Sequence, residues 1–146
     1  MFWDSSALVP ALVPEARSAE VVSLLRADRS PAIWWASPVE CQSALHRRHR
    51  EESLPRASLA AALVRLKGFV EDVDIVAPNG KLRDRAGRIL AAHPLRAADA
   101  LQLAAALVWC DDAPEGETFA CLDDRLREAA RREGFDVVPT PSTRRP

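Results

Sequence analysis

The stretch FACLDDRL, residues 119–126, joins a short apolar run directly to the start of a helical pattern. Residues 119–122 form an uninterrupted apolar run, which predicts a fully buried strand. From Arg125 to Glu133 the apolar residues recur at helical spacing, and Gly134 closes the pattern as glycine commonly closes a helix. A strand that passes into a helix within two residues is the basic unit of a parallel α/β sheet.

The same unit recurs along the chain. Further strand candidates lie at residues 1–3, 33–35, 73–76 and 135–138, and helical patterns lie at residues 7–12, 15–26, 37–50, 55–66, 82–90 and 97–109. Residues 97–109 are almost all apolar, which predicts a helix that is buried on most sides. We therefore predict an α/β fold around a parallel sheet, with more helix than strand.

Length and composition indicate a single compact domain, residues 1–146. Of the 146 residues, 48% are hydrophobic. A domain of about 150 residues buries about 70% of its unfolded surface, so it needs no disulfide or zinc ion to hold it together. The Pro, Ser, Thr and Arg residues at positions 139–146 predict a flexible tail.

The overall charge is nearly balanced. The chain has 20 Lys and Arg residues against 21 Asp and Glu, a formal charge of −1 at pH 7. This balance predicts no general attraction to polyanions, so a nucleic acid would have to bind a local basic patch. Two candidate patches are residues 46–50, with the sequence HRRHR, and the arginines Arg125, Arg127, Arg131 and Arg132. The alternative is that both are solvated helix faces.

The cysteines and the N-terminus indicate a cytosolic protein. Cys41, Cys110 and Cys121 are odd in number and lack close pairing, so we interpret them as reduced core thiols. The chain opens on MFWD, without the basic segment and apolar stretch of a secretion signal. No run of 18 apolar residues that could form a membrane span occurs.

Four acidic residues stand at the ends of strand candidates or at the start of a helix. Asp4, Glu40 and Asp123 each follow a strand candidate, whereas Asp99 lies in the first turn of the helix that follows Pro94. All strand-to-helix junctions of a parallel sheet lie at its carboxyl edge. We therefore expect the four carboxylates to converge on one crevice.

Each of these acids also has a structural explanation. Asp is among the best residues for capping a helix N-terminus, which accounts for Asp4 and Asp123. The spacing Ser37-x-x-Glu40 matches a capping box, in which the glutamate bonds the backbone at the start of the helix. Asp99 fits a cap least well, since the helical pattern begins before it, and only a favourable interaction with the helix dipole remains. Asp99 is therefore the residue whose position best distinguishes a metal site from a set of helix caps.

Four converging carboxylates require a cation, because like charges close together raise one another's pKa values and repel. No His or Cys stands with the acids at ligand spacing, so the predicted ion is a hard one, Mg²⁺ or Mn²⁺. Such an ion activates a bound water and bridges to phosphate oxygens, which indicates phosphodiester hydrolysis. Ser6 is a candidate to orient that water or a ligand carboxylate. The alternative is a hydroxyl satisfied by the first helical turn.

The acids lie in four segments: DSSAL (residues 4–8), SPVE (37–40), LRAADALQLA (95–104) and FACLDDRL (119–126). In order and spacing these segments resemble the motifs of the PIN-domain family, specifically the VapC-type toxins of bacterial type II toxin–antitoxin systems. The segment at 95–104 is the most specific, and the resemblance covers nearly the whole chain. One departure is Cys121, which stands where Thr or Ser is common in the family.

The resemblance implies properties that composition and spacing do not. They are a three-layer α/β/α sandwich around a parallel sheet, Mg²⁺- or Mn²⁺-dependent endoribonuclease activity, homodimerisation and inhibition by a cognate antitoxin protein. Carried over position by position, the catalytic and metal-binding acids are Asp4, Glu40, Asp99 and Asp123. Asp124 is an adjacent candidate.

The leading hypothesis is cleavage of RNA by metal-activated water, with Arg47, Arg48 and Arg50 holding the phosphate backbone. One rival is a Mg²⁺ phosphatase of the haloacid-dehalogenase kind. That class requires a second Asp two positions after the first, where this chain has Ser6. The other rival is a PIN-like scaffold that binds RNA or a partner protein without catalysis.

Overall fold

The computed structural model describes residues 1–140, which form one parallel sheet and the helices that cover it. The strands are β1 (Phe2–Trp3), β2 (Ala32–Trp34), β3 (Asp74–Val76), β4 (Thr118–Ala120) and β5 (Asp136–Val138). The helices are α1 (Ser5–Leu12), α2 (Ser18–Ala27), α3 (Ser37–Arg50), α4 (Arg56–Glu71), α5 (Gly80–Ala92), α6 (Ala97–Trp109) and α7 (Asp124–Glu133). The predicted alternation of strand and helix is confirmed.

The sheet has the strand order β3-β2-β1-β4-β5, and every neighbouring pair is parallel. In the centre, Phe2 of β1 is in register with Ala32 of β2 and with Phe119 of β4. The chain leaves β1 towards β2 on one side and returns to β4 on the other, so the strand order reverses at β1. In open parallel sheets such a reversal creates a crevice at the carboxyl ends of the strands.

Two hydrophobic cores, one on each face of the sheet, make the molecule a three-layer α/β/α sandwich. Phe2 and Phe119 point into the core formed with α5, α6 and α7. Trp3 and Ala120, one position further along the same two strands, point into the core formed with the first four helices. This alternation follows from the two-residue period of a strand. Helix α6 has seven buried residues, which confirms the helix predicted to be buried on most sides.

Some element boundaries differ from the sequence prediction. β4 ends at Ala120, and residues 121–123 form the junction to α7, although the backbone N–H of Cys121 still donates to the carbonyl of Val138 at 2.9 Å. α2 begins at Ser18 rather than at residue 15, because residues 15–17 form a turn closed by the Ser18 N–H on the Glu15 carbonyl. α4 continues through Gly68 to Glu71, since packing on the core outweighs the weak helix propensity of one glycine.

The first two residues of the predicted tail are bonded to the body of the protein. The carbonyl of Pro139 accepts from Arg127 at 2.7 Å, and that of Thr140 accepts from Arg17 at 3.0 Å. These two residues are therefore bonded to the folded body, and the flexibility of the tail stays a prediction. The remainder of the tail, residues 141–146, lies outside the described residues.

The three cysteines are free thiols, with Cys41 and Cys121 buried and Cys110 half-buried. The predicted core position is therefore met at Cys41 and Cys121 and only partly at Cys110. Among the helices of residues 1–140, none combines the length and the apolar character needed to cross a bilayer.

Candidate active site

Asp4 lies at the end of the central strand and caps α1. Its carboxylate accepts from the backbone N–H of Ser6 at 2.9 Å and from the Ser6 hydroxyl. The side chain is buried, and the backbone N–H of Asp4 extends the sheet by bonding the carbonyl of Ala120 at 2.9 Å. The predicted cap at Asp4 is confirmed, and the same side chain stands at the switch point of the sheet.

Glu40 does not form the predicted capping box. α3 begins at Ser37, and Ala36 occupies the N-cap position without a side-chain hydrogen bond. Ser37 is therefore inside the helix, where its hydroxyl cannot cap it, and the capping-box interpretation is wrong. Glu40 Oε2 instead accepts from the Ser5 hydroxyl at 2.8 Å and from Gln102 Nε2 at 3.0 Å. The Glu40 carboxylate is thus held by α1 and α6, not by its own helix.

Asp4 and Glu40 form the first of two carboxylate pairs, here called the inner pair. Burial raises the pKa of Asp4 to about 6, the hydrogen bonds from Ser6 oppose this shift, and the negative charge of Glu40 adds to it. A buried carboxyl of this kind gains most from a nearby positive charge.

Asp99 and Asp123 form the second pair, here called the outer pair. Asp99 lies half-buried in the first turn of α6, and Asp123 is the exposed N-cap of α7, where its carboxylate accepts from the Leu126 N–H at 2.9 Å. The predicted cap at Asp123 is confirmed. Partial burial and the charge of Asp123 raise the pKa of Asp99, and the nearby Arg96 opposes this shift. The structure therefore places Asp99 beside another acid, and its carboxylate also bonds the backbone of Arg96 at the N-cap position of α6.

Two adjoining cavities connect the pairs. The outer pair lines a cleft of about 700 Å³ together with Asp124, Arg96 and Arg125. A smaller cavity of about 300 Å³ is lined by Glu40, Ser5, Ser6 and Arg47. Ala98 belongs to the walls of both cavities, so they meet at the start of α6.

Ser6 links the inner pair to the junction that holds Asp123. Its hydroxyl donates to Asp4 and accepts from the backbone N–H groups of Leu122 at 2.9 Å and Asp123 at 3.3 Å. The thiol of Cys121 also lies 3.6 Å from Asp4 Oδ2. These contacts fix the Asp4 carboxylate relative to the β4–α7 junction.

The four acids are arranged as two pairs rather than as one cluster. Within residues 1–140, no three His, Cys, Asp or Glu side chains stand close enough together to hold one ion. The physical reason is that the side chains of Asp4 and Asp123 are each drawn to the N-terminus of their own helix. The four acids therefore lie at the same edge of the sheet, as expected, but no three of them are close enough to bind one ion together.

The arginines differ in their surroundings. Arg47, on the same face of α3 as Glu40, lines the smaller cavity. Arg48 is paired with Glu15, and Arg50 is exposed. Of the three predicted RNA-binding arginines, only Arg47 shares a cavity with a candidate acid.

The second predicted basic patch divides in the structure. Arg125 lines the cleft, but Arg127 is buried and donates to the carbonyls of Cys121, Val138 and Pro139. The assignment of Arg127 to a nucleic-acid patch is therefore wrong, because its position on α7 faces the core.

Sequence reasoning missed Ser5, Arg96 and Gln102. Gln102 had a detectable signal, since it is the one amide in the apolar run 97–109. A buried amide in such a run needs a partner. Ser5 and Arg96 carried no comparable signal, because polar residues at helix starts are common.

The fold and the site together define an α/β/α sandwich with acid-lined cavities at the switch point of a parallel sheet. The PIN domain profile matches residues 1–132, and the chain belongs to the PIN-domain family. Ribonuclease VapC45 of Mycobacterium tuberculosis (strain CDC 1551 / Oshkosh) is 31% identical over 140 residues, which cover 95% of this chain and 94% of that protein. The predicted resemblance is confirmed.

Solved structures share the fold. The crystal structure of Mycobacterium tuberculosis VapC20, a sarcin-ricin loop cleaving toxin, has a TM-score of 0.64 at 21% identity, and the match covers 88% of this chain and 93% of the VapC20 chain. VapBC2 from Rickettsia felis, bound to a DNA fragment from their promoter, has a TM-score of 0.63 at 13% identity, with coverages of 94% and 98%. These likenesses confirm the sandwich architecture.

Proposed function

We propose that this protein is an endoribonuclease that depends on Mg²⁺ or Mn²⁺ and is the toxin of a toxin–antitoxin pair. Membership of the PIN-domain family and a 31% identical relative named as a ribonuclease support the activity. The observation that carries the proposal is the placement of Glu40, Asp99 and Asp123 on adjoining cavities at the carboxyl edge of the sheet, with Asp4 buried beside Glu40. Asp4, Glu40, Asp99 and Asp123 are the proposed catalytic and metal-binding residues.

The chemistry of these residues fits a hard divalent ion, which keeps several of its waters and needs only one or two carboxylates, so a single pair suffices to hold it. All four candidate donors are carboxylates, the ligand type that Mg²⁺ and Mn²⁺ prefer. Burial and the charge of Glu40 raise the pKa of Asp4, and a bound cation would offset both effects. When bound, the ion would lower the pKa of a water and stabilise charge on the scissile phosphate.

Three arginines near the acids are the proposed contacts to the RNA backbone. Arg96 and Arg125 flank the outer pair in the cleft of about 700 Å³, and Arg47 stands beside Glu40 in the smaller cavity. Guanidinium groups in these places attract phosphate and hold it near the acids. Asp124 also lines the cleft and is an auxiliary candidate.

A cognate antitoxin and a homodimer belong to the same proposal, and they rest on the family alone. Co-expression with the product of a neighbouring small open reading frame tests the antitoxin, and failure of the two proteins to co-purify would count against it. Sedimentation of the purified chain tests the dimer. The cytosolic location stays a prediction.

The decisive experiment compares Asp99→Asn with Asp136→Asn. Both changes remove one carboxylate at constant shape, but Asp136 is exposed at the amino end of β5, far from the carboxyl edge. We expect Asp99→Asn to lower Mn²⁺-dependent cleavage of RNA about 1,000-fold, a loss of about 4 kcal/mol of transition-state stabilisation. Asp136→Asn should cleave as the wild type does.

Circular dichroism should show that both variants fold. Retained cleavage in Asp99→Asn would overturn the site assignment. Mn²⁺ binding without cleavage of RNA would favour the scaffold, and turnover of a small phosphomonoester would favour the phosphatase.

A further inference from the structure

We infer that Gln102 is a positioning residue that orients the Glu40 carboxylate for the divalent ion. The inference rests on the proposed function in one respect, since it takes Glu40 as an ion ligand. Gln102 lies on α6 and Glu40 on α3, 62 residues apart in sequence, and the two side chains meet at 3.0 Å. The contact therefore joins two helices that lie on opposite faces of the sheet.

Gln102 is fully buried in a helix that is otherwise apolar. Burying a primary amide costs several kcal/mol unless its N–H and C=O groups find partners. Here Nε2 donates to Glu40 Oε2 and to the Ser37 hydroxyl, both at 3.0 Å, and the Ser37 hydroxyl lies 3.3 Å from Oε1. Ser37 is itself fully buried, so the amide is held from two sides.

The orientation of the amide follows from its partners. An ionised carboxylate can only accept hydrogen bonds, so the NH₂ group of Gln102 must face Glu40. A hydrogen bond to a charged acceptor is roughly twice as strong as a neutral one. The Gln102 side chain thereby fixes the rotation of the Glu40 carboxylate.

As a consequence, the two carboxylate oxygens of Glu40 differ in their hydrogen-bond donors. Oε2 receives two donors, the Ser5 hydroxyl at 2.8 Å and Gln102 Nε2 at 3.0 Å. Within the described part of the chain, no donor reaches Oε1, which is the oxygen left for the ion. Gln102 also lies three residues after Asp99 on α6, so one helix carries an acid of the outer pair and the group that orients an acid of the inner pair.

The test substitutes Gln102→Met and measures Mn²⁺ binding by calorimetry. Methionine has nearly the shape of glutamine and suits an apolar helix, but it has no donor for Glu40. The matched control is Gln42→Met, because Gln42 is exposed on α3. Outer partners that orient metal ligands typically contribute about 10–100-fold to metal affinity. We expect a loss of that size in Gln102→Met and none in Gln42→Met.

A second measurement separates positioning from a structural role. The free energy of unfolding, measured with urea in EDTA, should fall in Gln102→Met, since the buried Ser37 hydroxyl and the Glu40 carboxylate each lose a partner. A merely structural Gln102 would give this loss of stability with unchanged Mn²⁺ affinity, whereas a positioning residue gives it together with weaker Mn²⁺ binding. If Gln102→Met does not fold, Ser37→Ala provides the test. It frees one end of the amide, and we expect it to weaken Mn²⁺ binding by less than about 10-fold.

Failure of this inference can be distinguished from failure of the proposed function. Wild-type Mn²⁺ affinity in Gln102→Met would overturn the inference, whether or not the protein cleaves RNA. A wild-type protein that binds Mn²⁺ but cleaves no RNA would overturn the proposed function, while a weakened Gln102→Met would still support the inference. A wild-type protein that binds no Mn²⁺ would overturn both.

Discussion

The inner and outer carboxylate pairs occupy the same edge of the sheet but differ in almost every physical respect. In the inner pair, Asp4 is buried and Glu40 is held by donors from two other helices. In the outer pair, Asp99 is half-buried and Asp123 is exposed, and both line an open cleft beside arginines. The inner pair is fixed by hydrogen bonds and has one buried member, whereas the outer pair is open to a larger ligand.

Under the proposed function, this difference assigns two roles within one site. A fixed pair presents its oxygens at a constant separation, which favours selective binding of a small, hard ion. An open pair flanked by positive charge suits the approach of a phosphate backbone. The cost of this arrangement falls on the inner pair, because burying a carboxylate is unfavourable in the absence of a cation.

The largest effect is expected for Asp4→Asn in the metal-free protein. The folded-state pKa of Asp4 is about 6, whereas an unfolded Asp has a pKa of about 3.9. The folded state therefore binds more protons between these values, so stability falls as the pH rises through that range. The full penalty is about 3 kcal/mol, of which about 2 kcal/mol appears between pH 4.5 and 7.5.

Asn cannot ionise, so the variant should lack this component of the pH dependence. Urea denaturation in EDTA at pH 4.5 and 7.5 measures it, and at pH 7.5 Asp4→Asn should be more stable than the wild type. Added Mn²⁺ should stabilise the wild type and leave the variant unchanged. Equal pH slopes for the two proteins would show that burial does not penalise Asp4.

A smaller effect is expected at Asp123, where a cap and a candidate ligand coincide. Asp123→Ala removes the acceptor for the Leu126 N–H and should cost about 1 kcal/mol of unfolding free energy. Asp123→Asn keeps a capping oxygen, so its stability should be close to that of the wild type. Both variants should lose RNA cleavage, since both lack the carboxylate.

Urea denaturation of the two Asp123 variants separates the roles. If the Asn variant loses as much stability as the Ala variant, the charge of Asp123, and not its cap, is what stabilises α7.

The smallest effect is expected for the arginine near the inner pair. Arg47→Ala should remove one phosphate contact, which lowers the dependence of log Kd on log salt concentration by about 0.7 for single-stranded RNA. Arg48→Ala is the matched control, because Arg48 is paired with Glu15 and lies outside the cavity. Binding of RNA to both variants in the Asp99→Asn background, over a range of salt concentrations, measures the difference. Equal slopes would place the RNA elsewhere.

Local patterns in the sequence predicted the order of strands and helices and two of the helix caps. Each apolar run that passes into a helical period became a strand followed by a helix, and Asp4 and Asp123 became the caps that their positions indicate. These predictions succeeded because strand and helix periods and N-caps depend on residues within a few positions of one another. Boundaries were less accurate, as at β4 and α2, because the ends of elements depend on packing.

The candidate site was predicted only in part. The four acids were selected by their positions at the carboxyl edge, but their division into two pairs was not predicted. The capping box at Glu40 and the basic patch at Arg127 were wrong for the same reason, since both were assigned from neighbours in sequence. The hydrogen-bond partners of Glu40 and Arg127 instead include residues on other elements of the fold.

The sequence by itself determined a parallel α/β chain with an acid at each of three strand ends and one in the first turn of a buried helix. The tertiary structure alone decided which acids face each other, that Gln102 reaches Glu40 across 62 residues and that Ser6 reaches the β4–α7 junction across 116 residues. The physical reason is range: secondary structure follows from interactions between near neighbours, whereas the partners of a buried polar group are set by how helices pack on the sheet.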